Sequence, residues 1–407
     1  MADILFVHNN FPGQLGFIAE SLRGRGHRCA AIGSETAKGI EGVALRRWRT
    51  TKGTTPGILN LAVRAEADLI RGRAAADCAL ALREQGFAPK LIIGHPGWGE
   101  TLLLREVWPD ARVILHGEFY YRTRGADVGF DPEFGEMTQE EQFRVAAKNA
   151  TMAMAYAEAD RIVSPTAFQA SLLPAAVRDK VAVIHEGVDV QKVRPDPQAR
   201  IVVDGITLDR STPVVTYINR HMEPLRGFHI FMRALPRLME QVPDAHAVII
   251  GADGTGGYGG GTKDKRTWRQ IMMDEVGERL DPARLHFTGR LPYDEMLAAL
   301  SVSAAHVYYT YPFVLSWSLL EAMASGCAII ASDTAPVRDA IVDGQNGRLR
   351  DFFDPAALAD AAAEACLQPE RFQAMRKAAR ATVLDRFDRR SQCLPAWLRL
   401  IDQVLAS

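Results

Sequence analysis

The sequence predicts an α/β protein made of two doubly wound, Rossmann-like domains. Short apolar runs rich in Val, Ile and Ala alternate with longer stretches of helical periodicity, which is typical of strand–helix–strand repetition. The runs form two series, separated by a segment with two prolines and alternating charge near 194–210. The 407 residues are also enough for two or three domains of ordinary size.

The first series predicts strands at 4–8, 28–33, 90–94, 112–116, 160–164 and 181–185. Runs that are apolar on both faces indicate a buried parallel sheet. The stretch 15–23 is predicted to be a helix, because Leu15, Ile18 and Leu22 fall on one helical face.

The second series predicts strands at 214–219, 245–251, 285–289, 304–310 and 327–332. We therefore expect an N-terminal domain over 1–195, a linker over 194–210 that opens R-P-D-P-Q-A-R, and a C-terminal domain over 205–387. The two halves are expected to face each other across a cleft, with their sites at the carboxyl ends of the strands. An amphipathic helix is predicted over 393–405.

The amino-acid composition argues against several classes of protein. Hydrophobic residues make up 47 % and charged residues 24 %, which excludes wholesale disorder. The 48 basic and 49 acidic side chains leave a net charge of −1, which argues against a nucleic-acid-binding protein. Five scattered cysteines without a C-x-x-C pair predict reduced thiols and no zinc site. With no signal-peptide pattern and no apolar run of about 20 residues, we expect a cytoplasmic protein.

Three segments carry candidate chemistry. The first strand is followed by H-N-N-F-P-G-Q-L-G over 8–16, which is either a phosphate-binding turn or an ordinary tight turn. Arg220 and Arg226 follow the first strand of the second series, where paired guanidiniums suit a diphosphate, unless both are solvated loop residues.

The third segment is Y-P-F-V-L-S-W-S-L-L-E-A-M-A-S-G-C over 311–327, where a helix is predicted to begin near Leu315. The first-turn amides of Leu315, Ser316, Trp317 and Ser318 predict an anion site. Glu321 lies one turn further along an apolar helix. Its carboxylate needs donors, which ribose hydroxyls or a structural salt bridge would supply.

These residues give the chain a family resemblance. It resembles a GT-B glycosyltransferase of the large retaining family 4 in S-L-L-E-A-M-A-S-G-C (318–327), V-I-H-E-G-V-D (183–189), N-R-x-x-x-x-x-R-G (219–227), L-H-F-T-G-R-L (285–291) and T-A-P-V-R-D-A-I-V-D-G (334–344). The opening H-x-N-F-P-G-Q, together with H-P-G-W-G-E and Y-P-F-V-L-S-W-S, is similar to one bacterial subgroup. In this fold a last helix similar to 388–407 packs back on the N-terminal domain.

The resemblance implies that a sugar moves, with retention, from a nucleotide diphosphate donor to an acceptor hydroxyl. The expected donor is UDP-linked, and no metal or other cofactor is expected. Gly13 would lie near the donor phosphates and His116 near the donor sugar. Arg220 and Arg226 would stabilise the departing diphosphate, and Glu321 would bind the ribose.

The same resemblance places Arg290 and Leu291 at the donor, with the Leu291 backbone on the base. One position departs from the family, which usually has a Glu eight residues before Glu321, where this chain has Phe313. Either the subgroup meets the sugar hydroxyls with other groups, or the loss of a carboxylate favours an acidic donor sugar.

Acceptor binding is expected in the N-terminal half, with a lipid, a glycan or a protein as the acceptor. His95, Trp98, Glu100 and Glu118 are the candidate residues, and a fold-stabilising turn is the alternative. The basic segment from Arg46 to Lys52, within A-L-R-R-W-R-T-T-K-G, is a candidate contact with an anionic membrane or a phosphorylated acceptor; the alternative is a solvated loop.

Other functions stay open at this point. A GT-B epimerase or hydrolase of UDP-sugars would need no acceptor, and a catalytically inactive binding subunit would account for Phe313. A literal G-x-G-x-x-G at 254–259 lacks the following helix and acidic strand end of a dinucleotide site, so we interpret it as a loop.

Overall fold

A computed structural model describes residues 1–254, 256–259, 262 and 264–407, and in it the chain forms two compact units. The first unit contains Met1–Glu186 and Cys393–Ser407, and the second contains Gly187–Gln392. The chain therefore leaves the first unit once and returns to it for its last residues.

The first unit contains a seven-stranded parallel sheet in the order β3-β2-β1-β4-β5-β6-β7. Its strands are β1 (Asp3–Val7), β2 (Arg28–Ser34), β3 (Ala44–Trp48), β4 (Pro89–Gly94), β5 (Arg112–His116), β6 (Arg161–Ser164) and β7 (Val181–Val183). Its first helices are α1 (Gly16–Gly24), α2 (Val63–Glu84), α3 (Leu104–Val107), α4 (Gln139–Ala147), α5 (Ala150–Glu158) and α6 (Ala167–Leu172).

The second unit contains a six-stranded parallel sheet in the order β12-β11-β10-β13-β14-β15, and a separate antiparallel pair β8-β9. Its strands are β8 (Arg200–Val203), β9 (Ile206–Asp209), β10 (Val214–His221), β11 (His246–Ala252), β12 (Leu285–Gly289), β13 (Ser303–Tyr308), β14 (Ile329–Ser332) and β15 (Arg348–Arg350). Its helices are α7 (Phe228–Gln241), α8 (Trp268–Val276), α9 (Tyr293–Val302), α10 (Trp317–Ala324), α11 (Ala335–Arg338), α12 (Pro355–Leu367) and α13 (Gln373–Arg386).

The last helix, α14 (Leu394–Ala406), belongs to the core of the first unit. Trp397 and Ile401 are fully buried in one apolar cluster with Ile18 and Leu22 of α1. The predicted terminal helix is therefore confirmed, and its apolar stripe faces α1 and the sheet.

All eleven predicted strands are confirmed, and the two parallel sheets confirm the predicted fold class. The prediction of a linker over 194–210 is wrong, because β8 and β9 form a hairpin there. Ile201, Val203 and Leu208 are buried, while Asp204 (φ 49°) and Gly205 (φ 80°) make the turn. Asp-Gly between alternating apolar residues is a strong hairpin signal, because both turn residues need positive φ.

Two further predictions are corrected. Much of the predicted loop at 44–53 is strand: β3 pairs with β2 at the edge of the first sheet. Its residues are mostly exposed, so the segment lacks the apolar run that marks the buried strands. The helix predicted to begin near Leu315 begins at Trp317, with Ser316 as its N-cap.

The strand order reverses once in each parallel sheet, between β1 and β4 in the first unit and between β10 and β13 in the second. In doubly wound sheets ligands bind beyond the carboxyl ends of the strands at such a switch point. His8, His95 and His116 lie at those ends in the first unit, and the loops carrying Arg226 and Phe313 follow β10 and β13 in the second.

Candidate functional site

In the first unit the turn after β1 brings Gly13 against the ring of His8. Gly13 has a φ of 47°, and a Cβ atom there would lie 2.5 Å from His8 Cε1. The position therefore requires glycine for two independent reasons, its backbone conformation and the imidazole that covers it. Its expected place near the donor phosphates stays a prediction.

His116, at the end of β5, is fully buried and forms a close pair with Glu186. Its Nε2 atom lies 2.6 Å from Glu186 Oε1, while His185 Nδ1 is 3.5 Å from Glu186 Oε2. Burial opposes the charge on both members of the pair. The hydrogen bond and opposite charge nevertheless raise the pKa of His116, and the two imidazoles lower the pKa of Glu186.

The His116 ring is also stacked parallel to the Trp397 ring, with centroids 6.4 Å apart. Its Nδ1 atom has no hydrogen-bond partner among the described residues. The structure thus gives His116 a fixed orientation and an anionic partner that the sequence did not reveal. Its expected contact with the donor sugar stays a prediction.

Three of the four candidate acceptor residues come together. His95 Nε2 lies 3.2 Å from Glu118 Oε2, and the Trp98 ring centroid is 4.6 Å from that of His95. Gln14, which sequence reasoning missed, donates from Nε2 to Glu118 Oε1 at 2.9 Å. The H-P-G-W-G-E motif therefore places an imidazole and an indole beside a carboxylate.

The fourth candidate, Glu100, is not part of this cluster, and its predicted place on the rim is wrong. It is fully buried, and neither carboxylate oxygen has a hydrogen-bond partner among the described residues. Burial raises the pKa of Glu100 to about 7. In this conformation the Glu100 carboxylate has no exposed surface for an acceptor, and its role as a general base stays a prediction.

In the second unit, Arg226 is buried and fixed in the short 3-10 turn Pro224–Arg226. Its Nη1 atom donates to Thr310 Oγ1 and to the Val314 carbonyl, both at 3.0 Å. Gly227, with a φ of 71°, follows at once and lets the chain pass the side chain of Tyr309. Arg226 is thus aimed at the loop after β13, where the candidate anion site lies.

Arg220 and Arg290 are exposed, and no described contact joins Arg220 to Arg226. Arg290 Nη2 lies 3.5 Å from His221 Nε2. Burial, followed by the charges of Arg290 and Arg220, lowers the pKa of His221. Arg220 and Arg290 therefore both lie near the imidazole of His221. Of the predicted diphosphate pair, Arg226 is buried and Arg220 is exposed. Leu291 packs partly buried against the core of this unit.

Phe313 occupies the position where the family usually has a Glu. Its ring lies 5.3 Å from the Arg226 guanidinium carbon and also 5.3 Å from the Tyr258 ring centroid. Arg226 thus contacts an aromatic face at this position.

The start of α10 differs from the predicted anion site. The Ser316 amide donates to the Tyr308 hydroxyl at 2.8 Å, and the Ser318 amide donates to Ser316 Oγ at 3.3 Å. Two of the four predicted amides therefore already have acceptors within the protein. A phosphate at this helix end has to replace the Ser316 cap. Leu315 is buried before the helix, and Trp317 is partly exposed.

Glu321, on α10, has a partner that the sequence did not predict. The Tyr293 hydroxyl, at the start of α9, donates to Glu321 Oε1 at 2.7 Å. Burial raises the pKa of Glu321, and the hydrogen bond from Tyr293 opposes that shift. The carboxylate is thus oriented by a phenol and is not neutralised by a salt bridge among the described contacts.

The glycine-rich segment falls partly outside the described residues, which omit Thr255, Gly260 and Gly261. In the described part, the Gly259 amide donates to Glu223 Oε2 at 2.8 Å. The next helix, α8, begins only at Trp268. No helix N-terminus therefore follows the described glycines directly, which agrees with the loop interpretation.

In the basic segment, Arg46 and Arg47 are exposed on the edge strand β3. Arg46 Nη2 donates to Gln85 Oε1 at 2.6 Å, and Arg49 pairs with Glu35 at 3.0 Å. Among the described residues, no helix is both long enough and apolar enough to cross a membrane.

Two profiles of known protein families together match most of the chain. Residues 25–193 match the profile of the glycosyl transferase family 4 group, and residues 205–382 match that of glycosyl transferases group 1. Sucrose-phosphate synthase from Thermosynechococcus elongatus superposes with a TM-score of 0.76 at 16 % identity, covering 100 % of both chains. HepE from Anabaena, in complex with UDP and glucose, gives 0.68 at 16 % identity with the same coverage.

Among curated relatives, D-inositol 3-phosphate glycosyltransferase of Streptomyces coelicolor is 28 % identical over 66 % of this chain and 58 % of its own. Phosphatidyl-myo-inositol mannosyltransferase of Mycolicibacterium smegmatis is 30 % identical over 44 % of this chain and 41 % of its own. A GDP-mannose-dependent alpha-(1-6)-phosphatidylinositol monomannoside mannosyltransferase of the same species is 26 % identical over 58 % of this chain and 60 % of its own.

The match thus spans 41 to 60 % of the length of these three relatives. Taken with the two parallel sheets and the fold shared over the full chain, the two matched profiles identify the family. The chain belongs to the family 4 glycosyltransferases and has the GT-B fold.

Proposed function

We propose that this protein transfers a sugar, with retention, from a nucleoside diphosphate sugar to an acceptor hydroxyl. The observation that carries the proposal is the buried Arg226 at the switch point of the second sheet, held by Thr310 and Val314. A buried guanidinium that is oriented before the substrate arrives is suited to stabilising charge that develops on a departing diphosphate.

The remaining donor residues support the same chemistry. Glu321, oriented by Tyr293, is a fixed acceptor for ribose hydroxyls. Ser316 and Ser318 present hydroxyls and amides that can turn towards a phosphate once the cap is displaced. Arg220 is exposed near the end of β10 and would supply a second positive charge for the diphosphate.

The proposal also concerns the base of the donor nucleotide, uracil or guanine. The family resemblance implies a UDP-linked sugar, whereas the name of one relative specifies GDP-mannose. A thermal-shift screen of UDP, GDP and their sugars distinguishes the two, because a ligand that binds the folded state raises the apparent melting temperature. A shift with GDP alone would reject the uridine assignment.

We also propose that transfer needs no metal or cofactor beyond the donor itself, as the family resemblance implies. In other transferases a divalent cation stabilises the negative charge of the departing diphosphate. Here that charge would be stabilised by Arg226, Arg220 and the start of α10. Turnover that persists in excess EDTA supports this proposal, and turnover restored only by added Mg²⁺ or Mn²⁺ rejects it.

The central test is the loss of Arg226. Arg226→Ala is expected to lower turnover by about 100-fold or more, because one preorganised transition-state donor is removed. Arg279→Ala, at an exposed arginine of the same unit, is the matched control. Full activity of Arg226→Ala would overturn the assignment of the donor site.

The alternative functions differ in their products. Free nucleotide, free sugar and conjugate are to be measured in one reaction with a panel of hydroxyl acceptors. Conjugate formed in step with free nucleotide supports a transferase. Free sugar alone indicates a hydrolase, an isomerised donor indicates an epimerase, and donor binding without any product indicates an inactive subunit.

We propose that the segment from Arg46 to Lys52 binds peripherally to an anionic membrane. The exposed guanidiniums of Arg46 and Arg47 on β3 support it, since clustered basic residues are attracted to anionic headgroups. Co-sedimentation with anionic but not zwitterionic vesicles is the expected result, and Arg46→Glu together with Arg47→Glu should abolish it. Equal sedimentation with both vesicle types would contradict the proposal.

A further inference from the structure

Five side chains form a connected network at the carboxyl ends of β1, β4 and β5, and we call it the Glu118 network. Its members are His8, Gln14, His95, Trp98 and Glu118. The three strands are neighbours in the sheet, and the network lies at the switch point between β1 and β4. This is the place in the first unit where a ligand is expected.

The protonation of both imidazoles in the network is fixed by backbone amides. The Asn10 amide donates to His8 Nδ1 at 3.0 Å, and the Gly97 amide donates to His95 Nδ1 at 3.1 Å. A ring nitrogen that accepts a hydrogen bond carries no proton, so in both rings the hydrogen is on Nε2. Both imidazoles are therefore neutral donors.

The direction of every hydrogen bond in the network follows from these tautomers. His8 Nε2 donates to Gln14 Oε1 at 2.7 Å, so the Gln14 amide nitrogen is free to face Glu118 and donates to Oε1 at 2.9 Å. His95 Nε2 donates to Glu118 Oε2 at 3.2 Å. Each carboxylate oxygen thus receives one donor and retains acceptor capacity.

Glu118 is the charged residue at the end of this series of hydrogen bonds. Burial opposes its ionisation, but the hydrogen bond from His95 favours the carboxylate, and the pKa of Glu118 is lowered. Its side chain is 34 % exposed, so an external hydroxyl can reach the carboxylate. The neighbouring His116 is paired with Glu186, so Glu118 is the charged member of the network itself.

Trp98 supplies an apolar surface beside that carboxylate. Its ring packs 4.6 Å from the His95 centroid and 5.3 Å from the His8 centroid, which fixes its orientation, and it stays partly exposed. A flat aromatic face next to a hydroxyl-binding carboxylate suits a ring that has C–H groups on one face and hydroxyls at its edge.

We propose that the Glu118 network binds a neutral polyhydroxylated ring of the acceptor, a sugar or a cyclitol, with ring hydroxyls donating to Glu118 and the ring face on Trp98. This inference rests on the proposed transferase function and names its acceptor class. A phosphate on that ring is disfavoured, because the network itself offers an anion and two neutral imidazoles. The guanidiniums of Arg64 and Arg71 donate to the carbonyls of Gly97 and Trp98, but both are paired with the buried Asp68. In this respect the chain would differ from relatives that are named D-inositol 3-phosphate glycosyltransferase.

The direct test is binding of small probes to the full chain, followed by saturation-transfer NMR. The neutral probes are methyl α-D-glucopyranoside and myo-inositol, and the charged probes are glucose 6-phosphate and myo-inositol 1-phosphate. We expect the neutral probes to bind more tightly than their phosphates. Tighter binding of the phosphates, or no binding of either neutral probe, would overturn the proposal.

Variants then assign the binding to the network. Glu118→Gln should weaken binding of the neutral probes by roughly 10- to 100-fold and remove the discrimination against phosphate, because a charged hydrogen-bond acceptor is lost. Glu118→Asp keeps the charge but shortens the reach, so it should weaken binding while preserving the discrimination. Unchanged binding in Glu118→Gln would reject the assignment.

Two controls separate this inference from the proposed function. Glu106→Gln, at an exposed glutamate of the same unit, should bind the probes as the wild type does. UDP and GDP binding by thermal shift reports on the donor site independently. Nucleotide binding that persists while the Glu118 variants leave probe binding unchanged would reject only the acceptor assignment, whereas absent nucleotide binding would reject the proposed function.

Discussion

The burial of Glu100 predicts how the free energy of unfolding changes with pH, and by how much. Burial raises its pKa from an ordinary value of 4.5 to about 7. This rise of about 2.5 in the pKa corresponds to about 3 to 3.5 kcal/mol, at about 1.4 kcal/mol for each tenfold change. Because the folded state holds the proton more tightly, this group makes the free energy of unfolding fall as pH rises from 4.5 to 7, with no further change above pH 7.

Glu100→Gln should remove that dependence, because the amide has the same shape and never ionises. We expect wild type and variant to have similar free energies of unfolding near pH 4.5, and the variant to be about 3 kcal/mol more stable near pH 8. Urea denaturation of both proteins across this pH range gives the difference directly. Groups that titrate in both proteins cancel in that difference if they do not interact with Glu100.

Glu106→Gln is the control, since this side chain is exposed and its neutralisation should leave the pH dependence unchanged. A wild-type minus Glu100→Gln difference that stays flat between pH 4.5 and 8 would refute the reasoning. It would mean that the Glu100 carboxylate is solvated or paired in the folded state.

Three other substitutions test separate contacts. Tyr293→Phe should raise the KM for the donor about fivefold through loss of the hydrogen bond to Glu321, and an unchanged KM would argue against Glu321 as a nucleotide ligand. Trp397→Ala should lower the free energy of unfolding by about 3–5 kcal/mol in guanidinium denaturation, because the ring is fully buried; a loss below about 1 kcal/mol would contradict its place in the core. Gly227→Ala should cost more than about 2 kcal/mol, since its Cβ would lie 2.3 Å from Tyr309 Cβ at a φ of 71°, whereas Gly24→Ala, with nothing within 4 Å, should be neutral or stabilising.

The buried strands were predictable because their composition reflects their surroundings. Strands such as β1 and β11 are covered on both faces, so nearly every residue in them is apolar. The strands missed in prediction, β3 and β15 in particular, are short and lie at sheet edges, where their residues are mostly exposed or only partly buried. The β8–β9 hairpin could have been predicted from Asp204-Gly205 between alternating apolar residues.

The site residues were harder to predict, because their partners are distant in the sequence. Local motifs drew attention to Glu321, Glu118 and His116. The side chains that orient them are respectively 28, 23 and 70 positions away. Such pairs depend on which strands and helices are neighbours, and spacing along a single sequence does not contain that information. His8 and Gln14 lay within a quoted motif, but their roles appear only once β1, β4 and β5 are known to be adjacent.

The two switch points have opposite chemistry, and this difference explains why bulk charge says little about the substrates. At the first, neutral imidazoles and an amide surround the single carboxylate of Glu118. At the second, the buried guanidinium of Arg226 lies near the capped start of α10. A carboxylate with spare acceptor capacity selects hydroxyl donors, and a buried guanidinium selects phosphates. The net charge of −1 averages these two environments, so the proposed assignment of donor and acceptor to different units rests on local residues and on the family resemblance, and not on the net charge.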